Sequence, residues 1–383
     1  MKNILLLKKF FLSKNIDYFF GVPDSVLKNL FEYIDKDKKI KNIIAANEGN
    51  ALALAAGYQM ASNKVPVVYL QNSGLGNLIN PALSLTSKKL HDIPIIYLIG
   101  WRGSPDSKDE PQHLETGKIT LDILKLMNID YFVVDEDSKK TELNLSKASK
   151  YYSKNKNSFA IVVKKNAFKN SNNFSNKIIH KKFTRRLALE NIYKIMSKKF
   201  LFVVNTGYAG REFYEVSESV NTNEIKYFLN VGAMGHTSSI AMGLLLGNKN
   251  EKIICIDGDG SLIMHMGALP VIGLQNESKN LVHILLNNGV HDSVGAQPNS
   301  SNQINYRNLS KSLGYKKYIY CKSENSLKKT LNKVYKAFVG PIFIEVVIHS
   351  EGELIGLKRP TAKPKDSKLL FMNNFKRISY KKN

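Results

Sequence analysis

The chain has 383 residues, of which 43% are apolar, and this is enough for about two globular domains with sizeable cores. Its formal net charge is +24, but the lysines are scattered along the chain, so we favour solvated surfaces over a nucleic-acid-binding stripe. No apolar run reaches the ~18–20 residues of a membrane helix, and the start MKNILLLKKFFLSKN predicts an amphipathic helix rather than a signal peptide. Cys255 and Cys321 lie in apolar stretches and are expected to be buried, free thiols in a reducing cytoplasm.

In chain order, the first half has four apolar segments that are typical of buried strands: IDYFFGVP, VPVVYLQ, DIPIIYLIG and SFAIVVKK. Helical patterns such as SVLKNLFEYID and GNALALAAGYQMAS lie among them. The second half repeats the scheme with KFLFVVNTG, KIICIDGDG, LVHILLNNG and GPIFIEVVI. This alternation predicts an α/β fold with two mostly parallel sheets, each covered by helices.

The domain boundaries are predicted from changes in composition. We place the first domain at residues 1–165 and the second at residues 185–357. Residues 166–184 are polar and rich in Asn and Ser, which is typical of a linker. Residues 358–383 are expected to form a C-terminal tail that ends in a short helix.

One segment carries the clearest chemical signal. The strand KIICI runs into Asp257-Gly258-Asp259-Gly260, and a later strand, LVHILL, ends in two asparagines. The carboxyl ends of parallel strands gather ligands, and glycines there let the backbone approach a phosphate. Carboxylate, amide and carbonyl oxygens suit Mg²⁺ that also binds phosphate oxygens. The segment therefore predicts a cradle for magnesium and a diphosphate.

The same segment resembles the cofactor signature of thiamine-diphosphate-dependent enzymes, Gly-Asp-Gly followed by Asn-Asn. The resemblance implies two homologous domains, one for the cofactor's pyrimidine and one for its diphosphate, which meet across a dimer interface. It makes Asp259, Asn288 and the carbonyl of Val290 the metal ligands. Gly258, Gly260 and Ser261 would then contact the diphosphate.

Other motifs agree with this resemblance. In AANEGNALALAAGY, Glu48 corresponds to the acid that binds the pyrimidine ring, and burial would raise its pKa. In LNVGAMGHTSSIAMG, Met234 corresponds to the wedge under the cofactor and Gly232 to the acceptor of its amino group. In VNTGYAG, Thr206 and Gly207 correspond to diphosphate contacts.

Further polar residues are expected at the reaction centre. The catalytic candidates are Glu48, His113, Ser25, His265 and His291. The substrate-binding candidates are Arg102, Ser25, Asp24, His113 and Ser293. Arg102 stands just after a predicted strand, and its planar guanidinium suits a phosphonate. Lys108 and Arg211 are either further contacts of this kind or ordinary surface cations.

Only a linker stands where many related decarboxylases insert a middle domain. Stretches such as GVPDS, QNSGLGNLINP, GWRGSPDSKDEPQH and KRPTAKP make the chain most similar to the phosphonopyruvate decarboxylases, and next to the sulfopyruvate decarboxylases. The resemblance implies a cytoplasmic homodimer or larger oligomer that decarboxylates 3-phosphonopyruvate to phosphonoacetaldehyde and CO₂. Sulfopyruvate decarboxylation, another 2-keto acid decarboxylation or carboligation, nucleic-acid binding and an inactive scaffold are the alternatives.

Overall fold

The computed structural model describes residues 2–155, 157–168, 183–220, 225–352, 354, 356–357 and 359–380. The chain divides into two compact units, residues 1–175 and residues 176–383. Most of the predicted linker, residues 169–182, lies outside the described residues. The predicted domain boundaries therefore stay predictions.

The first unit is built on a parallel six-stranded sheet. Its strands are β1 (Tyr18–Gly21), β2 (Lys41–Ile44), β3 (Val67–Gln71), β4 (Ile96–Trp101), β5 (Asp130–Val134) and β6 (Phe159–Lys164). Its helices are α1 (Lys2–Ser13), α2 (Lys28–Ile34), α3 (Glu48–Ser62), α4 (Leu75–Pro81), α5 (Pro111–Leu126) and α6 (Ser138–Asn155). An apolar core lies on each face of the sheet, one under α1, α2 and α6 and the other under α3, α4 and α5.

The second unit is built in the same way. The strands of its main sheet are β7 (Leu201–Val204), β8 (Tyr227–Leu229), β9 (Ile253–Gly258), β10 (Leu281–Asn287), β13 (Lys317–Cys321) and β14 (Ile342–Val347), and a separate antiparallel pair is β11 (Val290–His291) and β12 (Gln297–Pro298). Its helices are α7 (Arg185–Met196), α8 (Tyr208–Ser219), α9 (Thr237–Gly247), α10 (Asp259–Met264), α11 (Leu269–Leu274), α12 (Tyr306–Ser312), α13 (Glu324–Lys336) and α14 (Pro364–Tyr380). One core lies under α7, α8 and α13, and the other lies under α9 to α12 and α14.

Both main sheets have the same strand order. The first runs β2-β1-β3-β4-β6-β5 and the second runs β13-β14-β10-β9-β7-β8. When each sheet is numbered from its own first strand, both orders are 2-1-3-4-6-5. The order reverses between the first and third strands, and in such sheets ligands bind outside the carboxyl ends of the strands at this point. The predicted α/β fold with two similar parallel sheets is confirmed.

The remaining predictions concern the cysteines, the tail and the membrane. Cys255 and Cys321 are buried and form no disulfide, as predicted. The tail contains a helix, α14, which runs to Tyr380 and is longer than the short helix expected. Within the described residues, no helix combines the length and the apolar character that crossing a membrane needs.

Candidate active site

A buried carboxylate joins the Gly-Asp-Gly turn to the Asn-Asn turn in the second unit. β9 ends at Gly258, and α10 begins at Asp259, which is 4% exposed. The Asp259 carboxylate accepts backbone N–H bonds from Gly260 (2.8 Å), Asn288 (3.2 Å) and Gly289 (2.6 Å). Burial raises the pKa of Asp259 to about 6, although these backbone donors act in the opposite direction. The parallel pairing of β9 with β10 therefore places the two turns side by side.

The two asparagines of the pair have different surroundings. Asn287 is buried, and its Nδ2 donates to Glu345 Oε1 at 2.8 Å. Asn288 donates from Nδ2 to Asp292 Oδ2 at 2.7 Å, while its Oδ1 accepts from the Val290 N–H at 3.2 Å. The backbone N–H of Asn288 is the group of this residue that contacts the Asp259 carboxylate.

A cavity opens over these turns. Its lining includes Asn205, Thr206, Gly207, Met234, Gly258, Asp259, Gly260, Ser261, Asn288, Val290, His291 and Ser293. Gly207 has a positive φ of 81°, which favours glycine, and a Cβ on Gly260 would lie 2.4 Å from the His291 ring. Burial lowers the pKa of His291 to about 4, so its imidazole is neutral near pH 7. The glycines expose the backbone, which can therefore approach an anionic group.

The predicted Gly-Ala-Met-Gly loop is fixed from two sides. Asn230 donates to the Ala233 carbonyl at 2.6 Å and accepts from the Ala233 N–H at 3.1 Å. Ser261 Oγ accepts from the Gly235 N–H at 3.0 Å. Met234 lines the same cavity as Asp259 and Asn288. Its own N–H donates to the Gly232 carbonyl at 2.9 Å, so this predicted acceptor already has one donor.

Two histidines stack beside this loop. The His236 and His265 rings lie 4.4 Å apart and are nearly parallel, at 21°. His265 also packs against Gly235, where a Cβ would lie 2.4 Å from its ring. Burial and the neighbouring His236 both lower the pKa of His265. His265 was a predicted site residue, whereas its partner in the stack was not.

The predicted pyrimidine acid lies in the first unit, at the start of α3. Glu48 is 5% exposed, and its Oε2 accepts from Asn77 Nδ2 at 2.7 Å. The turn after β3 approaches the Glu48 carboxyl so closely that a Cβ on Gly74 would lie 2.2 Å from Glu48 Oε1. Only a glycine fits at this position without a shift of the carboxyl. Burial raises the pKa of Glu48, and the Asn77 hydrogen bond offsets this only in part. Such a carboxyl can share a proton with a ring nitrogen.

Arg102 is held in a cluster after β4. Its Nε donates to Asp109 Oδ2 at 2.7 Å, its Nη2 donates to the other Asp109 oxygen, and its Nη1 donates to Ser25 Oγ at 3.0 Å. Gly103 follows with a φ of 69°, and a Cβ there would lie 2.0 Å from the His113 carbonyl. The predicted residues Ser25, Arg102 and His113 therefore belong to one tightly packed region of the first unit.

Asp24 lies beside this cluster and is 2% exposed. Its Oδ2 accepts from the backbone N–H groups of Val26 (3.0 Å) and Leu27 (3.1 Å). Burial raises its pKa to about 6, and the charge of Arg102 acts in the opposite direction. Asp24 therefore caps the turn after β1 through these backbone hydrogen bonds, and its carboxyl has an unusually high pKa.

The predicted site residues form two sets. The first unit holds Asp24, Ser25, Glu48, Arg102 and His113. The second unit holds Thr206, Gly207, Gly232, Met234, Gly258, Asp259, Gly260, Ser261, Asn288, Val290, His265, His291 and Ser293. Of the two weaker candidates, Lys108 is exposed, and the Arg211 guanidinium lies over the Tyr208 ring at 5.8 Å.

Several residues that were not among the predicted ones hold those residues in place. Asn77 contacts Glu48, Asp109 binds Arg102, and Asp292 binds Asn288. Asn77 and Asp109 stand within the motifs quoted above, and Asp292 stands next to one. An acid or amide in such a place is therefore a signal that could have identified them as site residues. Arg185 and Glu212, whose Nε and Oε2 lie 2.6 Å apart, gave no such signal because their contact depends on how α7 packs against α8.

The arrangement in the second unit suits a specific class of ligand. Asp259, Asn288 and the Val290 carbonyl offer hard oxygen atoms of the kind that Mg²⁺ prefers. The adjoining glycine-lined backbone at the start of α10 suits the oxygens of a diphosphate. The residues present therefore fit a magnesium ion together with a diphosphate group.

Comparison with known proteins gives the family. Residues 6–126 match the thiamine pyrophosphate enzyme, N-terminal TPP binding domain, and residues 212–346 match the corresponding C-terminal TPP binding domain. A phosphonopyruvate decarboxylase from Streptomyces viridochromogenes is 31% identical over 361 residues, which cover 90% of this chain and 87% of that protein. A second phosphonopyruvate decarboxylase, from Streptomyces hygroscopicus, is 29% identical over 363 residues, which cover 90% of this chain and 86% of that protein.

A sulfopyruvate decarboxylase from Methanosarcina acetivorans is 28% identical over 306 residues, which cover 74% of each chain. Thiamine pyrophosphate is another name for thiamine diphosphate, so both matching domains are those that the cofactor signature implies. The two domain matches and the nearly full-length similarity show that the chain belongs to the family of thiamine-diphosphate-dependent decarboxylases.

Proposed function

We propose that this enzyme converts 3-phosphonopyruvate to phosphonoacetaldehyde and CO₂ with thiamine diphosphate and Mg²⁺. The observation that carries this choice of substrate is the similarity to two phosphonopyruvate decarboxylases over 90% of the chain. The sulfopyruvate relative is similar over a smaller share, 74%.

The metal and the diphosphate are assigned to the second unit. Asp259, the Asn288 Oδ1 and the Val290 carbonyl would hold Mg²⁺, and Gly258 and Gly260 would bring backbone close to the diphosphate. Further contacts are assigned to Thr206, Gly207, Gly232, Met234 and Ser261. This assignment is supported by the hydrogen bonds that join the Asp259 and Asn288 turns at the carboxyl edge of the sheet.

The proton chemistry begins at Glu48. When bound, the cofactor supplies an electron sink for the electrons released as the carboxylate leaves. Glu48 would share a proton with the pyrimidine ring, and its raised pKa keeps that proton available nearer neutral pH. Asn77 orients the carboxyl through Oε2, which leaves Oε1 on the side of Gly74. His113, His265 and His291 are the candidates for moving the later proton.

The substrate is assigned to the region around Arg102. Asp109 accepts hydrogen bonds from Nε and Nη2 of the Arg102 guanidinium. A phosphonate would therefore use the remaining Nη1 edge of Arg102 and the Ser25 hydroxyl. The ion pair also lowers the pKa of Asp109, which keeps both partners charged. Asp24, His113 and Ser293 complete the proposed substrate contacts.

The test compares kcat/KM on phosphonopyruvate, sulfopyruvate and pyruvate, with CO₂ release as the readout. We expect phosphonopyruvate to be preferred. In Arg102→Gln, kcat/KM for phosphonopyruvate should fall about 10- to 100-fold, as expected for a charge-assisted hydrogen bond of about 1.5–3 kcal/mol, and it should fall less for pyruvate.

The control is Lys118→Gln, which removes an exposed cation that is also paired with an acid, Glu115, at 2.9 Å. This variant should retain the wild-type preference. A clear preference for sulfopyruvate would overturn the substrate and favour the second candidate, sulfopyruvate decarboxylation. An Arg102→Gln variant with unchanged efficiency would overturn the residue assignment.

A further inference from the structure

A buried charged network lies next to the turn that carries Asn288. It consists of Arg185, Glu212 and Asp292, which are 6%, 3% and 7% exposed. Arg185 Nε donates to Glu212 Oε2 at 2.6 Å, and Arg185 Nη1 donates to Asp292 Oδ2 at 3.1 Å. Arg185 is the first residue of α7, Glu212 lies in α8, and Asp292 follows β11. The network therefore ties the turn to two helices.

The contact between Asp292 and Asn288 determines which way the amide faces. Asn288 Nδ2 donates to the same Oδ2 of Asp292 that accepts from Arg185. An ionised carboxylate is only an acceptor, so it can bind the nitrogen end of an amide and not its oxygen end. Asp292 therefore selects one of the two amide orientations of Asn288, the one with Oδ1 directed away from Asp292.

Arg185 and its two acids depend on one another. Burial acts to lower the pKa of Arg185, but Glu212 and Asp292 outweigh it and raise that pKa. A buried charge that loses its partner is strongly unfavourable, so the network has a strong preference for its paired arrangement. A second contact also holds Asp292 in place: Ser350 Oγ donates to its Oδ1 at 2.5 Å. The carboxylate is thus held at both oxygens.

We propose that Asp292, held by Arg185, is a positioning residue for the metal site, which keeps the Asn288 amide oxygen presented to the cation. This inference rests on the assignment of Asn288 as a metal ligand. Residues that hydrogen-bond to metal ligands typically change metal affinity by about 10- to 100-fold when they are altered. Neither Asp292 nor Arg185 contacts the cation in this proposal.

The first test is Asp292→Asn, which keeps the size of the side chain but can donate as well as accept. Mg²⁺ is titrated calorimetrically into the enzyme with thiamine diphosphate present, and kcat is measured at saturating Mg²⁺. We expect the dissociation constant for Mg²⁺ to rise about 10- to 100-fold. At saturating Mg²⁺, kcat should stay within a few fold of wild type, because the ligand itself remains.

A matched pair of arginine variants separates positioning from general destabilisation. In Arg185→Lys the charge stays, but an ammonium group lacks the planar fork that bridges Glu212 and Asp292. In the neighbouring Arg186→Lys, an exposed arginine that also contacts two acids, Glu190 and Glu215, is changed in the same way. We expect weaker Mg²⁺ binding, by several fold, only for Arg185→Lys.

The outcomes are distinguishable. Unchanged Mg²⁺ affinity in both Asp292→Asn and Arg185→Lys overturns the proposal, and so does an equal loss in Arg186→Lys. If Asp292→Asn does not fold, the two lysine variants decide. Asn288→Ala is measured in the same titration: unchanged Mg²⁺ affinity in that variant means that the metal assignment itself has failed, whereas a large loss together with normal binding in the other variants means that only the positioning role has failed.

Discussion

At the scale of single residues, three buried carboxyls share one electrostatic property. Burial raises the pKa of Asp24, Glu48 and Asp259, and in each case hydrogen-bond donors offset the effect only in part. Carboxyls in this state are frequent at functional sites, because a site that binds ligands needs polar groups that ordinary cores avoid. Asp24 is the case that can be tested by stability alone, since its two backbone donors belong to its own turn.

We predict that Asp24→Asn changes how stability depends on pH. Folding raises the pKa of Asp24 from 3.8 to about 6. Its contribution to stability is therefore fully present below about pH 4 and is lost as the pH rises through about 6. The asparagine does not titrate, and its oxygen can still accept from Val26 and Leu27. The stability of the variant relative to wild type should rise between pH 4 and 7 by on the order of 3 kcal/mol.

The measurement is urea unfolding of both proteins at several pH values from 4 to 7. Asp37→Asn serves as the control: the hydrogen bond from Lys8 lowers the pKa of this acid below 3.8, so its contribution to stability is already present above about pH 4 and the difference from wild type should stay nearly constant from pH 4 to 7. A stability difference between Asp24→Asn and wild type that does not change with pH would contradict the prediction.

The same three carboxyls show how far the sequence can define a site. Each stands in a short motif after an apolar strand or at a helix start, so its type and place were predictable. The groups that hold the site residues come from elsewhere in the fold: Asn77 lies 29 positions from Glu48, and Arg185 lies 107 positions from Asp292. A motif can show that a residue such as Asn77 is a candidate, but which residue pairs with which follows from packing and not from a local pattern.

At the scale of elements, the eight strands predicted from apolar runs are the interior strands of the two main sheets. The main-sheet strands that the prediction did not name, β2, β5, β8 and β13, are the four edges of these two sheets. Interior strands such as β4 and β10 are buried at every residue, whereas β2 alternates between exposed and partly buried positions. Burial on both faces produces an apolar run, and an edge strand has no need of one.

The order of the strands could not be obtained from the runs themselves. Within each unit it nevertheless places the predicted site residues, and equivalent strands carry several of them in the two units. Arg102 follows the fourth strand of its sheet, and Asn288 follows the fourth strand of the other. The sequence indicated which loops carry chemistry, while the order 2-1-3-4-6-5 determines which loops are neighbours.

We predict that Gly74→Ala impairs the Glu48 site. The turn between β3 and α4 approaches α3 so closely that a Cβ at Gly74 would lie 2.2 Å from Glu48 Oε1. Gly74 has a φ of −78°, so the backbone conformation itself suits alanine and only the space is at issue. The Glu48 carboxyl must move away from its place beside Asn77. We expect kcat to fall by about 10- to 100-fold, which is at or below the lower end of the ~100- to 10,000-fold that a proton-transfer group typically contributes, because the carboxyl is displaced rather than removed.

The control lies two residues further along. Gly76 belongs to α4, and a Cβ there would meet nothing within 4 Å. Gly76→Ala should keep wild-type kcat and slightly increase stability, because alanine favours a helix. Equal kcat values for Gly74→Ala and Gly76→Ala would show that the close approach to Glu48 has no catalytic consequence.

At the scale of the whole molecule, the two units share a topology but carry different groups. In the proposed function, the first unit would supply an acid for a ring nitrogen and the Arg102 cluster, whereas the second would supply oxygen ligands and a glycine-lined cradle. The proposed reaction uses groups of both sets. Because most soluble oligomers are symmetric, with dimers by far the most common, we propose that a homodimer or larger oligomer completes each site with residues from two copies of the chain.

We predict that two inactive variants restore activity to each other. A chain with Glu48→Gln and a chain with Asp259→Ala are co-expressed with different affinity tags, and the mixed dimer is purified through both tags. If a site combines Glu48 of one copy with Asp259 of the other, one of the two sites in the mixed dimer is unaltered, and about half of wild-type kcat should return. Each parent dimer should stay inactive.

The control is a mixed dimer made from wild type and a Glu48→Gln/Asp259→Ala double variant. If the sites are shared, each of its two sites contains one altered group, so it should have little activity. If each site instead lies within one chain, the results reverse: the two single variants give no activity together, and the dimer with one wild-type chain keeps about half.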